Sequence, residues 1–397
     1  MTSPRILIAS RLFVPEVSAG AFRLGALARG LARAGADVTV VTTTPPSHAP
    51  DVADPPAVRI SRWPVLRDRG GNVRGYLQYA SFDAPLAVRL LTRGYDVAVA
   101  ESPPTTALVV AAISALRRRP YVYYAADVWT DGVISMGAHR VVVGLMRAME
   151  RRALRSARLI LSVSDEVTER LVAIGADRRR IHVVGNGIDT DVFTPEVAAP
   201  TPGERYFVYT GTMSEWQRPE VFIRAFETLA ADHPDVRVRF FGQGVIEPEL
   251  QRLAQQLVPG RIDFGGVVEP ATAARWIRGA IAALVSIAPG IGYDFARPTK
   301  TYAAAACGTP VLFAGAETGG ALVRDAGLGV TAGFTVEEVA AAMRQLLAED
   351  DDGTSDRRRP ERANWARRYV SLAAVGDRAA EIVFTARSAD GAGIAPR

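Results

Sequence analysis

Residues 5–43 read RILIASRLFVPEVSAGAFRLGALARGLARAGADVTVVTT, and two apolar stretches in them flank an amphipathic one. The outer stretches, RILIAS (5–10) and DVTVVTT (37–43), have the composition of buried β-strands. Between them, residues 19–35 show helical periodicity and end in Gly35, a residue suited to the C-cap of a helix. A strand, a helix and a second strand in this order predict a βαβ unit with parallel strands.

This alternation continues along the chain and restarts once. The segment EVAAPTPGE (196–204) is rich in Pro and Ala, lacks periodicity and is predicted to be a linker between domains. Further strand-like stretches are 96–102, 121–127, 158–164 and 181–189 before it, and 206–211, 236–242, 261–266, 283–288 and 309–315 after it. We therefore expect an α/β fold with two tandem Rossmann-like, doubly wound domains, residues 1–195 and 205–359. Residues 360–386 are predicted to form one last helix, and 387–397 a disordered tail.

The composition is that of a soluble globular protein, because 48% of the 397 residues are hydrophobic and 22% are charged. A single cysteine, Cys307, precludes an intrachain disulfide and fits a reducing compartment. The N-terminus lacks the pattern of a signal peptide, and no apolar run reaches the ~18 residues of a membrane-spanning helix. These features predict a cytoplasmic protein.

The net charge of +5 is carried partly by arginine clusters at 117–119, 151–152, 178–180 and 357–359. Such clusters are typical of solvated loops and helix faces. They also suit contact with an anionic surface, such as a membrane leaflet or a phosphorylated acceptor. Nucleic acid is a less fitting partner, since no known reader motif accompanies the charge.

The chain has 47 Lys and Arg residues, of which Lys300 is the one lysine, within RPTKTYAAAACGTPV (297–311). Pro298 favours the start of a helix there, which places Lys300 in the first turn, against the helix dipole. A cation in that position is favourable when an anion lies beside it. Two other strand-to-helix turns, at Gly20 and Gly211, are predicted to offer backbone N–H groups to phosphate.

Several enzyme classes are disfavoured by missing motifs. The turn after residue 241 has Gly242 and Gly244 but Glu247 at the third position of a dinucleotide fingerprint, and there is no P-loop, HExxH or GxSxG motif. The four histidines show no metal-ligand spacing, so no metal site is expected. Cys307 lies in an alanine-rich helix and is expected to be a buried structural thiol.

Five segments together resemble one known family. They are FVPEVSAGAF (13–22), VGNGIDTDVFTP (184–195), YTGTMSEWQRPEVFIRAF (209–226), VRFFGQG (238–244) and PTKTYAAAACGTPVLFAG (298–315). The chain resembles the two-domain GT-B glycosyltransferases, in particular the retaining family-4 group that uses nucleotide sugars, over nearly its whole length. The resemblance implies an acceptor domain and a donor domain that face each other across a cleft, with the last helix crossing back onto the first domain.

The resemblance also implies a set of site residues, with Lys300 and Asp127 as candidate catalytic groups. Candidates for binding the donor diphosphate are Gly20, Gly211, Thr212, Arg218, Arg297, Lys300 and Thr301; for the nucleotide, Gly242, Gly244 and Val268; and for the acceptor, Glu16 and Trp129. Asp127 can instead be an N-cap or loop ligand, and Glu101 and Asp131 are alternatives for its role. No cofactor or metal is expected, and the donor is a UDP or GDP sugar, a choice that the sequence leaves open.

Two departures from the family pattern affect this site. Thr212 and Gln217 stand where the family often has the Arg and Lys that neutralise the diphosphate, which leaves Lys300 as the main candidate cation. Ala303 stands where the family often has a ribose-binding Glu, and Phe295 where it has an upstream carboxylate.

Retaining transfer of a hexose-type sugar is the function that the resemblance implies. The acceptor is either a lipid-linked glycan, met at the inner membrane face, or a small soluble natural product. The high Ala, Arg and Gly content suggests a bacterial source with GC-rich coding. A sugar-nucleotide 2-epimerase of the same fold and a non-catalytic binding protein are the alternatives.

Overall fold

The computed structural model describes residues 3–16, 18–46, 49, 54–68, 73, 75–135, 138–290, 294 and 298–387. The chain forms two compact units, one made of Met1–Asn186 with Leu372–Arg397 and the other of Gly187–Ser371. The second unit is therefore continuous in sequence, whereas the first is assembled from two separate segments.

The first unit is built on a parallel sheet with helices between its strands. Its described strands are β1 (Arg5–Ala9), β2 (Asp37–Thr43), β3 (Val58–Trp63), β4 (Val97–Glu101), β5 (Tyr121–Ala125), β6 (Leu159–Ser162) and β7 (Ile181–Val183). The helices that connect them are α1 (Ala19–Arg33), α2 (Tyr76–Thr92), α3 (Pro104–Leu116), α4 (Trp129–Ser135), α5 (Arg140–Ser156) and α6 (Asp165–Ile174). The strands lie in the order β3-β2-β1-β4-β5-β6-β7, and all these pairings are parallel.

The second unit repeats this architecture. Its described strands are β8 (Arg205–Thr210), β9 (Val236–Phe241), β10 (Ile262–Phe264), β11 (Ala282–Ser286), β12 (Val311–Ala314) and β13 (Gly329–Ala332). Its helices are α7 (Glu220–Ala230), α8 (Glu247–Leu257), α9 (Pro270–Gly279), α10 (Thr299–Ala306), α11 (Glu317–Asp325), α12 (Val336–Asp351), α13 (Thr354–Arg357) and α14 (Arg359–Tyr369). The strand order is β10-β9-β8-β11-β12-β13, again parallel. The prediction of two Rossmann-like α/β domains is confirmed.

The central strands are apolar along their whole length because helices cover both faces of each sheet. Every residue of β4, β5 and β11 is buried. Two apolar clusters lie in each unit, in keeping with layers of helices on both faces. Among the helices in the described ranges, none combines the length and the apolar composition needed to cross a bilayer.

The strand orders show where ligands are expected to bind. In the first sheet β1 lies between β2 and β4, and in the second β8 lies between β9 and β11. The connections run in opposite directions on the two sides of these strands, so each sheet has a topological switch point, where open α/β sheets bind their ligands. Gly20 lies in the first turn of α1, the helix that follows β1, and Gly211 directly follows β8.

The expectation of one last helix over 360–386 is wrong, because two helices cover this segment. Helix α14 ends at Tyr369, and α15 (Leu372–Thr385) follows. Between them the Val370 carbonyl accepts the Ile188 N–H at 2.7 Å, and Ser371 forms a parallel β-bridge with Ile188. This extended pairing uses backbone groups that a continuous helix would need for itself. The boundary between units also lies at Asn186, earlier than the expected linker at 196–204.

Helix α15 packs closely on α1 in the first unit. A Cβ added to Gly376 would lie 2.3 Å from the Ala26 carbonyl oxygen, and one added to Gly30 would lie 2.6 Å from the Gly376 carbonyl oxygen. Only glycine allows backbones to approach this closely, so these two residues set the distance between the helices. The last helix is thereby part of the core of the first unit, where Val375, Ala379 and Val383 are buried.

Candidate functional site

A cavity of about 550 Å³ opens at the carboxyl ends of β8 and β9 in the second unit. Turns after these two strands form one side of it, with Gly211, Thr212 and Gly242. The start of α10 forms another, with Pro298, Thr299, Lys300 and Ala303. The rest of the lining is mainly apolar and comprises Ile188, Phe193, Trp216, Phe241, Val267, Val268, Ala273 and Ile277, together with Thr210 and Gln217. The cavity therefore lies at the switch point of the second sheet.

Lys300 is the one charged side chain among the described residues that line this cavity. Its Nζ is buried, has no hydrogen-bond partner among the described residues, and lies 3.8 Å from the centroid of the Tyr209 ring. Burial lowers the pKa of Lys300 to about 7, since the charged form loses hydration without gaining a counter-ion. A buried ammonium held only by an aromatic face is prepared to receive an anion.

Tyr209 holds Lys300 in place and was missed by the sequence analysis. Its hydroxyl donates to the Thr212 carbonyl at 2.7 Å and lies 2.9 Å from Oε1 of Gln217. Burial raises the pKa of Tyr209, so its hydroxyl stays protonated and keeps its role as a donor. Thr212 and Gln217, where the family often has cations, here fix the aromatic ring beneath the one lysine. The continuous apolar run of β8 gave the one signal in the sequence, because a tyrosine inside a buried strand needs a partner for its hydroxyl.

The glycine turns serve packing more than phosphate binding. Gly211 has φ +114, and its N–H donates to the Phe241 carbonyl at 2.8 Å, so the expectation that this N–H is offered to phosphate is wrong. A Cβ on Gly242 would lie 2.0 Å from the Gly211 carbonyl oxygen, and one on Gly244 would lie 1.8 Å from the Met213 carbonyl oxygen. These glycines let the two turns pack backbone against backbone at the mouth of the cavity. Gly242 lines the cavity, whereas Gly244 lies behind the lining.

Other predicted donor-site residues divide into those inside and those outside the cavity. Thr212 and Val268 line it, and Thr301 is buried one residue beyond Lys300 without reaching the lining. Arg218 is placed elsewhere: it has φ +46, its Nε lies 2.8 Å from Glu220 Oε1, and it lines a separate shallow depression. The expectation that Arg218 contacts the diphosphate is therefore wrong for this arrangement. Arg297 lies outside the described residues, as does Phe295.

The helix that carries Lys300 adds backbone donors to the cavity. Helix α10 begins after Pro298, which provides no side-chain cap, and the Thr301 N–H donates to the Pro298 carbonyl at 3.0 Å. The preceding N–H groups of Thr299 and Lys300 come before any intrahelical bond and carry the positive end of the helix dipole. Charge and donors thus converge at one end of the cavity.

In the first unit, Gly20 lies beside a buried carboxylate. A Cβ on Gly20 would lie 2.9 Å from Glu101 Oε1, so the glycine makes room for this side chain. Ser10 donates to Glu101 at 3.0 Å, and the Arg23 guanidinium lies 3.6 Å away. Burial raises the pKa of Glu101, an effect that the Arg23 charge opposes. Gly20 therefore supports an internal ion pair at the carboxyl ends of β1 and β4, and its role toward phosphate remains a prediction.

The candidate acceptor residues of the first unit have internal partners. Glu16 pairs with Arg67 at 2.9 Å. Trp129 packs edge-on against Tyr79, with ring centroids 6.2 Å apart, and its Nε1 is buried without a hydrogen-bond partner in the described part of the chain. Asp127 is exposed directly after β5, which leaves its catalytic role a prediction.

Helix α4 is capped by Glu150, a residue of the following helix that the sequence analysis did not single out. The Glu150 carboxylate accepts the N–H groups of Trp129 and Thr130, both at 2.9 Å, and the Thr130 hydroxyl at 2.6 Å. Its side chain is fully buried. Neither Asp127 nor Asp131 takes this position, and Asp131 instead pairs with Arg170 at 3.0 Å.

Replacing Glu150 with alanine is expected to lower the free energy of unfolding of the first unit by about 3 kcal/mol, because two buried N–H groups lose their acceptor. Urea denaturation followed by circular dichroism measures this change. The exposed Glu169, paired with Arg178 on the surface, provides the control, and Glu169→Ala is expected to cost less than about 1 kcal/mol. Equal losses in the two variants would show that Glu150 is not a structural cap.

Comparison with known proteins agrees with this architecture. Residues 19–187 match the family model described as glycosyl transferase 4-like domain, and residues 204–349 match that of glycosyl transferases group 1. The chain belongs to the GT-B glycosyltransferases. This glycosyltransferase is 29% identical over 208 residues to D-inositol 3-phosphate glycosyltransferase 2 of Catenulispora acidiphila, a match covering 48% of each chain. It thus spans about half the length of the curated relatives it matches.

Two solved structures share the fold over nearly the whole chain. The glycosyltransferase of Rickettsia africae has a TM-score of 0.68 and 13% identity, covering 98% of this chain and 100% of its own. HepE of Anabaena, solved in complex with UDP-glucose, has a TM-score of 0.59 and 16% identity, covering 96% and 99%. At these identities the likeness establishes the GT-B fold of this glycosyltransferase and nothing finer.

Proposed function

We propose that this glycosyltransferase transfers a hexose-type sugar from a nucleoside diphosphate sugar to a lipid-linked glycan, with retention of the anomeric configuration. The buried ammonium of Lys300, unpaired and aimed into the cavity of the second unit, is the observation that carries the donor assignment. Support also comes from HepE, which was solved with UDP-glucose, and from relatives named as sugar transferases. Retention is proposed on the family resemblance.

The chemistry of transfer explains why a cation belongs in this cavity. The anomeric C–O bond to the β-phosphate breaks, the acceptor oxygen bonds to the anomeric carbon, and the nucleoside diphosphate leaves with the bonding electron pair. Negative charge therefore grows on the β-phosphate, where a preorganised ammonium lowers the barrier. The acceptor proton goes to the leaving phosphate or to a base, for which Asp127 is the proposed candidate. No metal enters this scheme.

The cavity lining favours transfer over epimerisation. Epimerisation at a sugar carbon requires an acid and a base beside the donor. The described residues that line the cavity include no Asp, Glu or His.

Incubation with UDP-, GDP- and dTDP-sugars tests the proposal, with release of nucleoside diphosphate as the readout. We expect slow release from at least one donor without acceptor and faster release with a membrane extract. Proton NMR of the product reports the anomeric configuration. A protein that binds none of these donors is not the proposed enzyme.

The choice of a lipid-linked acceptor rests on the exposed surface of α5, here called the α5 surface. It carries five arginines: Arg140, Arg147, Arg151, Arg152 and Arg155. None of their guanidinium groups has an ion-pair partner among the described residues. Val141 and Leu145 project from the same surface and are 71% and 60% exposed. Unpaired arginines beside exposed aliphatic side chains are complementary to an anionic leaflet, with the charges at the headgroups.

Replacing Arg147, Arg151 and Arg155 together with alanine is expected to weaken binding to vesicles containing phosphatidylglycerol by about 100-fold, at about 1 kcal/mol for each arginine. Co-sedimentation at 0.1 M salt measures this. The matched control replaces Arg178, Arg179 and Arg180, which pair with Glu169 and Asp177 and should contribute little. If the wild-type protein does not bind anionic vesicles, the result would indicate a small soluble acceptor instead.

A further inference from the structure

The donor cavity combines one cationic side chain with a largely apolar lining. Lys300 carries the charge, and Val268, Ala273, Ile277 and Ala303 are among the apolar residues. No aspartate or glutamate occurs among the described lining residues. The apolar part of this lining therefore suits a flat nucleobase better than a hexose, whose several hydroxyls would lose hydration against it.

The spacing of Lys300 and Ala303 places the pentose of the nucleotide. Both residues line the cavity from α10 and are three positions apart, so they lie on one face of the helix, separated by about 4.5 Å along its axis. A diphosphate bound at Lys300 and the helix N-terminus is joined through its α-phosphate to C5′ of the pentose. The pentose of such a ligand would then follow along the same helix face, against the Ala303 methyl group.

A methyl group cannot form hydrogen bonds with the 2′- and 3′-hydroxyl groups of a ribose. A hydroxyl that is buried without a partner loses its hydration uncompensated, and the Ala303 side chain offers neither acceptor nor donor. A 2′-deoxyribose brings one hydroxyl fewer to this wall. A methyl group on C5 of a pyrimidine would in turn bury apolar surface against the aliphatic part of the lining, to which Val268 and Ile277 belong.

From this arrangement we infer that the donor is a thymidine diphosphate sugar, in which the nucleoside has 2′-deoxyribose and a C5-methyl pyrimidine. The inference rests on the proposed nucleotide-sugar function and narrows its substrate class. It makes Ala303 a specificity-determining residue that disfavours ribonucleotides.

Calorimetric titration of the full chain with dTDP, dUDP, UDP and 5-methyl-UDP separates the effect of the 2′-hydroxyl group from that of the C5-methyl group. We expect dTDP to bind at least about tenfold more tightly than UDP, with dUDP and 5-methyl-UDP in between, since one unpaired hydroxyl corresponds to about 1 kcal/mol or more. If UDP binds as tightly as dTDP, the inference about thymidine is wrong, while the proposed function stands. Absence of binding by all four nucleotides also contradicts this inference, and a titration with GDP then decides whether the proposed function fails with it.

Substitution at Ala303 gives the inference a second test. Ala303→Glu supplies an acceptor for both ribose hydroxyls and is expected to shift the ratio of UDP to dTDP affinity at least about tenfold toward UDP. Ala303→Val adds bulk without an acceptor, so the variant should still bind dTDP more tightly than UDP. A folded Ala303→Glu protein with an unchanged ratio contradicts the role given to Ala303. Because Ala303 is only 6% exposed, Ala303→Ser provides the test with little added volume if the glutamate is not tolerated.

Discussion

Lys300→Ala is expected to lower kcat/KM for sugar transfer by about 100- to 1,000-fold, the range for loss of one preorganised group that stabilises transition-state charge. The ammonium is the one cation that lines the donor cavity in the described residues, so none of the other described lining residues can supply its charge. Nucleotide release from the donor, followed at several donor concentrations, measures the loss. Most of it should appear in kcat, because the charge on the β-phosphate grows as the bond breaks.

Lys300→Arg is expected to fall nearly as far as the alanine variant. The Nζ lies 3.8 Å from the centroid of the Tyr209 ring, and a Cβ added to Gly211 would lie 3.5 Å from Lys300 Cε. The lysine side chain is thus in close contact on both sides, which leaves little room for a broader guanidinium. Arg218→Ala provides a control for general loss of charge and should stay within about twofold of wild type, since Arg218 lies outside the cavity. Activity of the arginine variant near the wild-type value would show that any cation suffices.

Binding of a nucleoside diphosphate is expected to weaken by about tenfold per pH unit above pH 7. In the free protein burial lowers the pKa of Lys300 to about 7, and a bound diphosphate raises it again by pairing with the ammonium. Below pH 7 the lysine is already charged, so this group adds no pH dependence there. Above pH 7 the free protein must take up a proton to bind, and affinity falls until the pKa of the complex is passed.

Calorimetry in two buffers of different ionisation enthalpy measures this proton directly. We expect uptake of about one proton at pH 8.5 in the wild type. Lys300→Met keeps the length and apolar stem of the side chain without a titrating group, so its residual affinity should not vary over this range. A wild-type affinity that is constant from pH 6 to 9 would mean that Lys300 stays charged in the empty cavity.

The fold could be predicted because its main signals are local. Buried parallel strands are continuous apolar runs, and stretches such as 121–125 and 282–286 stand out in any window. Strand β3 escaped notice because it lies at the sheet edge with alternating charged residues, VRISRW. The division of the last helix was also missed, because the pairing partner of Ser371 is Ile188, far away in sequence.

The part of the site that could be predicted from the sequence consists of residues whose type and motif alone indicate a role. Lys300, predicted for the diphosphate, and Gly242 and Val268, predicted for the nucleotide, line one cavity, and their binding roles stay predictions. Tyr209 and Glu150 were not found, because their roles come from partners rather than from their own pattern. A glutamate in the arginine-rich α5 resembles a solvated helix face, and only the fold places it under the start of α4.

The packing of Gly30 on Gly376 has a consequence for biosynthesis. During translation, residues 1–186 leave the ribosome long before α15, the helix that completes their core. The second unit is contiguous and can finish folding first. The domain that emerges first thus becomes complete last, and until then the groove on α1 around Ala26 and Gly30 lacks its cover. Nascent chains that stall before residue 372 should therefore depend on chaperones for their N-terminal half.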